Sequence, residues 1–103
     1  MLAYREYRTV LIEALREDPD ECRAYLEASF EEYGKDGDGR ALLLALDAVV
    51  EVQGGVARVA ESANVSRRAI QRALSGQGAP QFWTVCTILR GLGYRIALAP
   101  VDR

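Results

Sequence analysis

Five residues within a seven-residue window, Ser66, Arg67, Arg68, Gln71 and Arg72, carry the side-chain chemistry of nucleic-acid recognition. The planar guanidinium of arginine pairs bidentately with the edge of guanine. The glutamine amide offers adenine a donor and an acceptor together. Ile70 and Leu74 claim the opposite side of a helix running through this segment, so the polar five project outward. Such a row can equally be a solvated helix face, and what decides its role is the set of elements that hold it.

Those elements are two short helices and a turn, within VARVAESANVSRRAIQRALS at residues 56–75. The spacing predicts a helix over Val56–Ala63, a turn at Asn64, and a second helix over Arg67–Ser75 with Ser66 as its N-cap. Crossing two helices steeply through a tight turn needs a small residue at the contact, and Ala60 supplies it. It also needs a turn residue that tolerates positive φ, which asparagine does. Val59, Val65, Ile70 and Leu74 then lock the pair. The free amides at the start of the first helix, beginning with Val56, suit a phosphate. Val56 and Ser75, the last residue of the second helix, complete the candidate DNA-binding set.

The remaining composition excludes more than it adds. The chain has 103 residues, the size of one domain; half are apolar and about a quarter charged. It contains no histidine and one lysine, Lys35, so neither a Ser/His nor a Cys/His nucleophile can be assembled. No catalytic residue, cofactor, metal or small-molecule substrate is expected. The GKDGDG segment at residues 34–39 suggests calcium, but Arg40 and Ala41 stand where an EF-hand loop needs an oxygen ligand and a glycine. A solvated turn is expected there. Cys22 and Cys86 sit among apolar residues at helical spacing and read as buried thiols. With no leader-like or membrane-spanning apolar run, a cytoplasmic protein is expected.

The formal net charge of −2 conceals a strong asymmetry. Residues 1–53 hold six basic against thirteen acidic residues, a net of −7, and residues 54–103 hold seven against two, a net of +5. Such a division predicts two surfaces with different partners, phosphate at the basic half and a basic macromolecule at the acidic half.

Along the chain, a first helix is expected from about Leu2 to Glu17, with Tyr4, Tyr7, Leu11, Ala14 and Leu15 on its inner face. Asp18 caps a second helix that Pro19 opens, with Glu21 placed for a capping box. Its core stripe is Cys22, Tyr25, Leu26, Ser29, Phe30 and Tyr33. Ala41–Val52 is apolar nearly all round, which suits the centre of a bundle. After the helix pair, Pro80 opens a helix whose inner residues are Val85, Ile88, Leu89 and Leu92, and Gly93 ends it. Tyr94–Ala99 alternates and reads as a β-strand ending at Pro100. A lone strand has no partner, so a homodimer paired through Tyr94–Ala99 is expected, with recognition helices about one DNA turn (~34 Å) apart.

An ordered set of residues resembles a known family. It comprises Tyr7, Asp18-Pro19 with Tyr25-Leu26, Leu44-Ala45-Leu46, Gly54-Gly55, Val59-Ala60, Ser66-Arg67, Arg72, Leu74-Ser75, Gly78, Pro80, Thr84 and Leu92-Gly93. Residues 54–98 resemble the Xre, or lambda-repressor-like, helix-turn-helix superfamily, and most of the chain is similar to the HigA-like addiction module antidote proteins. The resemblance implies an antitoxin of a type II toxin–antitoxin module that represses its own operon and neutralises a RelE/ParE-like toxin. Two departures stand out: Gln71 replaces the family's usual tyrosine, which alters base preference, and Ala79 replaces an asparagine before Pro80, which removes a helix cap.

The fold class expected is therefore all-α, a lambda-repressor-like helix-turn-helix bundle with an extra N-terminal helical pair and a short C-terminal β-strand. One domain is expected over residues 1–103: an acidic pair and loop (1–39), the bundle (40–93) and the strand (94–99). Two alternatives are a prophage-type repressor without a toxin and an interaction module that no longer binds DNA.

Overall fold

A computed structural model describes residues 3–76 and 80–102. Among them the chain forms helices α1 (Tyr4–Glu17), α2 (Asp20–Asp36), α3 (Gly39–Val52), α4 (Val56–Ala63), α5 (Arg67–Leu74) and α6 (Phe82–Gly91). The expected all-α bundle is present. The centre is α3, where Leu42, Leu43, Ala45, Leu46, Ala48, Val49 and Val50 are buried. It carries α1 and α2 on one side and the α4–α5 pair on the other, while α6 packs on α4. Full burial of an aliphatic side chain stabilises by about 1.5–3 kcal/mol, so α3 is the main source of cohesion. None of these helices is long and apolar enough to cross a membrane.

The two aspartates that suggested calcium are structural. Gly37 takes a left-handed conformation (φ 67°) and donates its N–H to the Tyr33 carbonyl, ending α2. Asp38 then caps α3, its Oδ1 accepting from the Ala41 N–H at 3.0 Å, while Asp36 Oδ1 accepts from the Asp38 N–H at 2.9 Å. At the other end of α2 the expected cap moves. Pro19 occupies the N-cap position with no side-chain bond, and Asp18 contributes its carbonyl, accepting from the Glu21 N–H at 3.0 Å.

Three expectations need correction. The segment Tyr94–Ala99 is not a β-strand, and no strand occurs among the described residues. Alternation encodes an extended chain, but a strand needs a pairing edge, and this all-helical chain offers none. Only the start of the segment is tied down. Gly93 adopts φ 93°, its N–H donates to the Arg90 carbonyl, and the Tyr94 N–H reaches the Leu89 carbonyl at 2.8 Å. This closes α6 with a Schellman motif and folds Tyr94 onto the core. Beyond it the apolar side chains emerge, and Leu98 is 98% exposed.

The second correction concerns α1, whose inner face keeps the expected Leu11 and Leu15 but is rotated toward Ile12. Ile12 and Leu15 are buried, whereas Tyr4, Tyr7 and Ala14 are exposed. Arg8 is compatible with this rotation, donating from Nε to Asp47 Oδ2 of α3 at 3.1 Å, while the burial of Ile12 and Leu15 is the larger contribution. A partly exposed pair of this kind contributes only about 0–1 kcal/mol. The third concerns α6, which begins at Phe82 after an extended Gln81, not at Pro80. Gly78 and Ala79, singled out from the sequence, lie outside the described residues.

Candidate nucleic-acid interface

The helix pair follows from a few local choices. Asn64 is the only non-glycine residue with positive φ among those described (φ 58°, ψ 45°). Its N–H donates to the Glu61 carbonyl at 3.2 Å, and the Val65 N–H to the Ala60 carbonyl at 3.0 Å. The chain therefore leaves α4 through a left-handed turn that satisfies two terminal carbonyls. Two residues later Ser66 starts α5, with Oγ accepting from the Ala69 N–H at 3.1 Å. Val59, Ala60, Ala63 and Ile70 are buried where the two helices meet the rest of the bundle, Val59 and Ala63 toward α6, with Val65 and Leu74 partly buried beside them.

The supporting helix α6 approaches α4 unusually closely. A Cβ at Gly91 would lie 2.6 Å from the Val59 carbonyl oxygen and 3.1 Å from Ala63 Cβ. Only glycine fits, so Gly91 sets the depth at which α4 sits. The sequence reading passed over this residue; the available signal was a glycine interrupting an otherwise good helical pattern.

With the inner face so fixed, Ser66, Arg67, Arg68, Gln71, Arg72 and Ser75 are all exposed on α5 or at its ends. The structure thus brings together on one element six of the seven residues singled out from the sequence. Ser75 differs in character from the rest. It follows the last helical residue, and its Oγ donates to the Arg72 carbonyl at 3.2 Å. The seventh residue, Val56, packs its side chain against the core, leaving only its backbone amide for a ligand. That amide lies at the start of α4 behind Gly55 (φ 90°), which supplies no capping side chain. Arg58, which the sequence reading did not assign, is exposed on this first turn with its stem against Gly54.

The electrostatics of the surface are one-sided. Glu61 is the single acid within residues 56–75. None of the ion pairs among the described residues involves Arg58, Arg67, Arg68 or Arg72. Four uncommitted guanidinium groups around a helix end and a helix face can bind phosphate and read base edges. Both cysteines are free, Cys22 buried and Cys86 half-buried, and neither lies on this surface.

A family model described as "Probable addiction module antidote protein" matches residues 9–100. No curated protein matches the chain, and neither does a solved structure.

Proposed function

We propose that this chain, which belongs to the family of probable addiction module antidote proteins, is a DNA-binding antitoxin that represses its own operon and neutralises a basic RelE/ParE-like toxin. Family membership supports the antitoxin role and implies a toxin partner in general. The observation that carries the DNA-binding part is the outer face of α5, where Arg67, Arg68, Gln71 and Arg72 are exposed and free of acidic partners.

In this reading α4 and α5 are a helix-turn-helix of the Xre type. The N-terminal half of α5 enters the major groove, where Arg67, Arg68 and Gln71 meet base edges. Arg72, one turn beyond Arg68, meets phosphate, as do Arg58 and the Val56 amide at the start of α4. The protein is a cytoplasmic binding protein, not an enzyme. It acts as a homodimer that presents two copies of α5 to one operator. The exposed Ile96 and Leu98 side chains of the C-terminal tail are one apolar surface available for that contact.

A mobility-shift experiment with DNA from the protein's own promoter tests the reading. Saturable binding that weakens steeply with salt and resists competition by unrelated DNA is expected. Equal affinity for promoter and unrelated DNA overturns specific repression.

A further inference from the structure

Beside its buried anchor residues, α1 carries a strip of partly exposed apolar side chains, whose two tyrosines flank Tyr25 of α2. Tyr4, Tyr7 and Val10 are 46, 50 and 56% exposed. Ala14, also exposed, continues the strip by one turn. At 3.6 residues per turn these four cover roughly a third of the helix circumference. The helix is anchored by the buried Ile12 and Leu15 and the partly buried Leu11, and about half of the surface of Tyr4, Tyr7 and Val10 is left to solvent.

The strip has a charged border. Glu6, Glu13 and Glu17 share one stripe at i, i+7 and i+11, directly beside Val10 and Ala14, and all three are exposed. Two of the three arginines of α1 are engaged elsewhere, Arg8 with Asp47 at 3.1 Å and Arg16 with Glu51 at 3.8 Å, both on α3. No ion pair among the described residues involves the three glutamates. An apolar strip therefore runs beside an uncompensated acidic row, in the half of the chain that carries a net charge of −7.

We infer that the Tyr4–Tyr7–Val10 strip of α1, with its Glu6–Glu13–Glu17 border, is the docking surface for the toxin, a protein whose matching face is apolar in the centre and basic along one edge. This inference rests on the antitoxin reading above and adds where the toxin sits. Tyrosines at the centre of an interface contribute large contact area at low entropic cost. A border of one sign steers a partner of the other and fixes its register. A second copy of this chain fits the surface poorly, because an antiparallel two-fold pairing of α1 sets the acidic row against its own copy. The strip and the α5 face lie on separate helices, α1 packing on α2 and α3 and α5 on α3 and α4.

The test uses the full chain and, as probe, the purified product of the reading frame adjoining its gene. Two variants are compared with wild type by surface binding: Tyr7→Ser with Val10→Ser, and Glu6→Lys with Glu13→Lys and Glu17→Lys. All five positions are exposed, and circular dichroism verifies folding; the charge-reversed variant keeps the test intact should the first one unfold. Wild type is expected to bind, each variant to bind at least tenfold more weakly, and both to retain promoter DNA. A Phe82→Ser, Trp83→Ser control, on another exposed apolar surface, is expected to match wild type. Variants within twofold of wild type, or a control that loses binding, overturn the assignment. So does a change in oligomeric state by light scattering without a change in toxin affinity, which marks the strip as a contact between copies. Failure of wild type itself to bind removes the antitoxin reading, a result distinct from all of these.

Discussion

Gly91 and Val59 are in such close contact that a Cβ added to the glycine would stand 2.6 Å from the valine carbonyl oxygen. The obstacle is backbone, which cannot swing aside as a flexible side chain would. Gly91→Ala must therefore push α6 and α4 apart. Overpacking of this kind costs about 1–3 kcal/mol. A fall in Tm together with weaker promoter binding is expected, because α4 positions α5. Calorimetry and a mobility shift on the same sample check it; unchanged Tm contradicts the close approach.

Ser66 acts on α5 by capping it. Its Oγ takes the Ala69 N–H at 3.1 Å, satisfying one of the orphan donors of the first turn. Ser66→Ala is expected to cost about 1 kcal/mol. Ser66→Asp retains the capping oxygen and restores that stability while adding negative charge where phosphate is expected. Recovery of Tm without recovery of DNA binding is the predicted pattern for the aspartate variant in parallel thermal and binding titrations.

The opposite change is available on α6. Gln81 stands at its N-cap with extended backbone (φ −76°, ψ 138°) but makes no side-chain cap bond. Gln81→Ser supplies a short acceptor in that geometry and is expected to stabilise by about 1 kcal/mol, a Tm rise on the order of 5 °C for a domain of this size. A cap at residue 79 would serve a helix starting at Pro80, whereas α6 starts at Phe82.

Alkaline pH should weaken the fold. Burial pushes the Cys22 thiol up, with Asp18 adding to the shift. Burial likewise raises the hydroxyls of Tyr25 and Tyr94, reinforced by the neighbouring Tyr7 and by Cys22 respectively. A group whose pKa is raised by folding stabilises fully below its unfolded pKa and loses that contribution as pH rises through the folded value. The unfolded values are about 8.5 for cysteine and 10 for tyrosine. Tm is expected to be insensitive to these groups from pH 6 to 8 and to fall above pH ~9. A Tm that stays level to pH ~11 contradicts the burial of all three.

Local chemistry was the legible part of this chain. The bounds of α4, the Asn64 turn and the Ser66 cap are set by neighbours within four residues, and the sequence predicts each of them. The inward rotation of α1 goes with contacts far along the chain, among them Arg8 to Asp47, 39 residues away, which a helical wheel cannot see. Gly91 was silent for the same reason, since its requirement comes from a carbonyl on another helix. At Tyr94–Ala99 the alternation suggested a strand but could not supply an edge for it to pair with, and no strand forms. For the candidate site, composition identified the α5 face, while the buried side chain of Val56 and the committed hydroxyl of Ser75 emerged only from packing.

The central claim is that the outer face of α5 reads DNA, and its parts are separable. Gln71→Ala should relax preference at one base pair, at a cost of about 1–3 kcal/mol there, whereas Arg72→Ala should weaken all DNA alike and lower the salt slope by about one unit. The most direct measurement is footprinting of the protein's own promoter with wild type and with a variant in which Arg67, Arg68, Gln71 and Arg72 are all alanine. The account predicts a discrete protected site with wild type and no protection with the variant, at unchanged helicity. A normally folded variant that still protects the same site would contradict it.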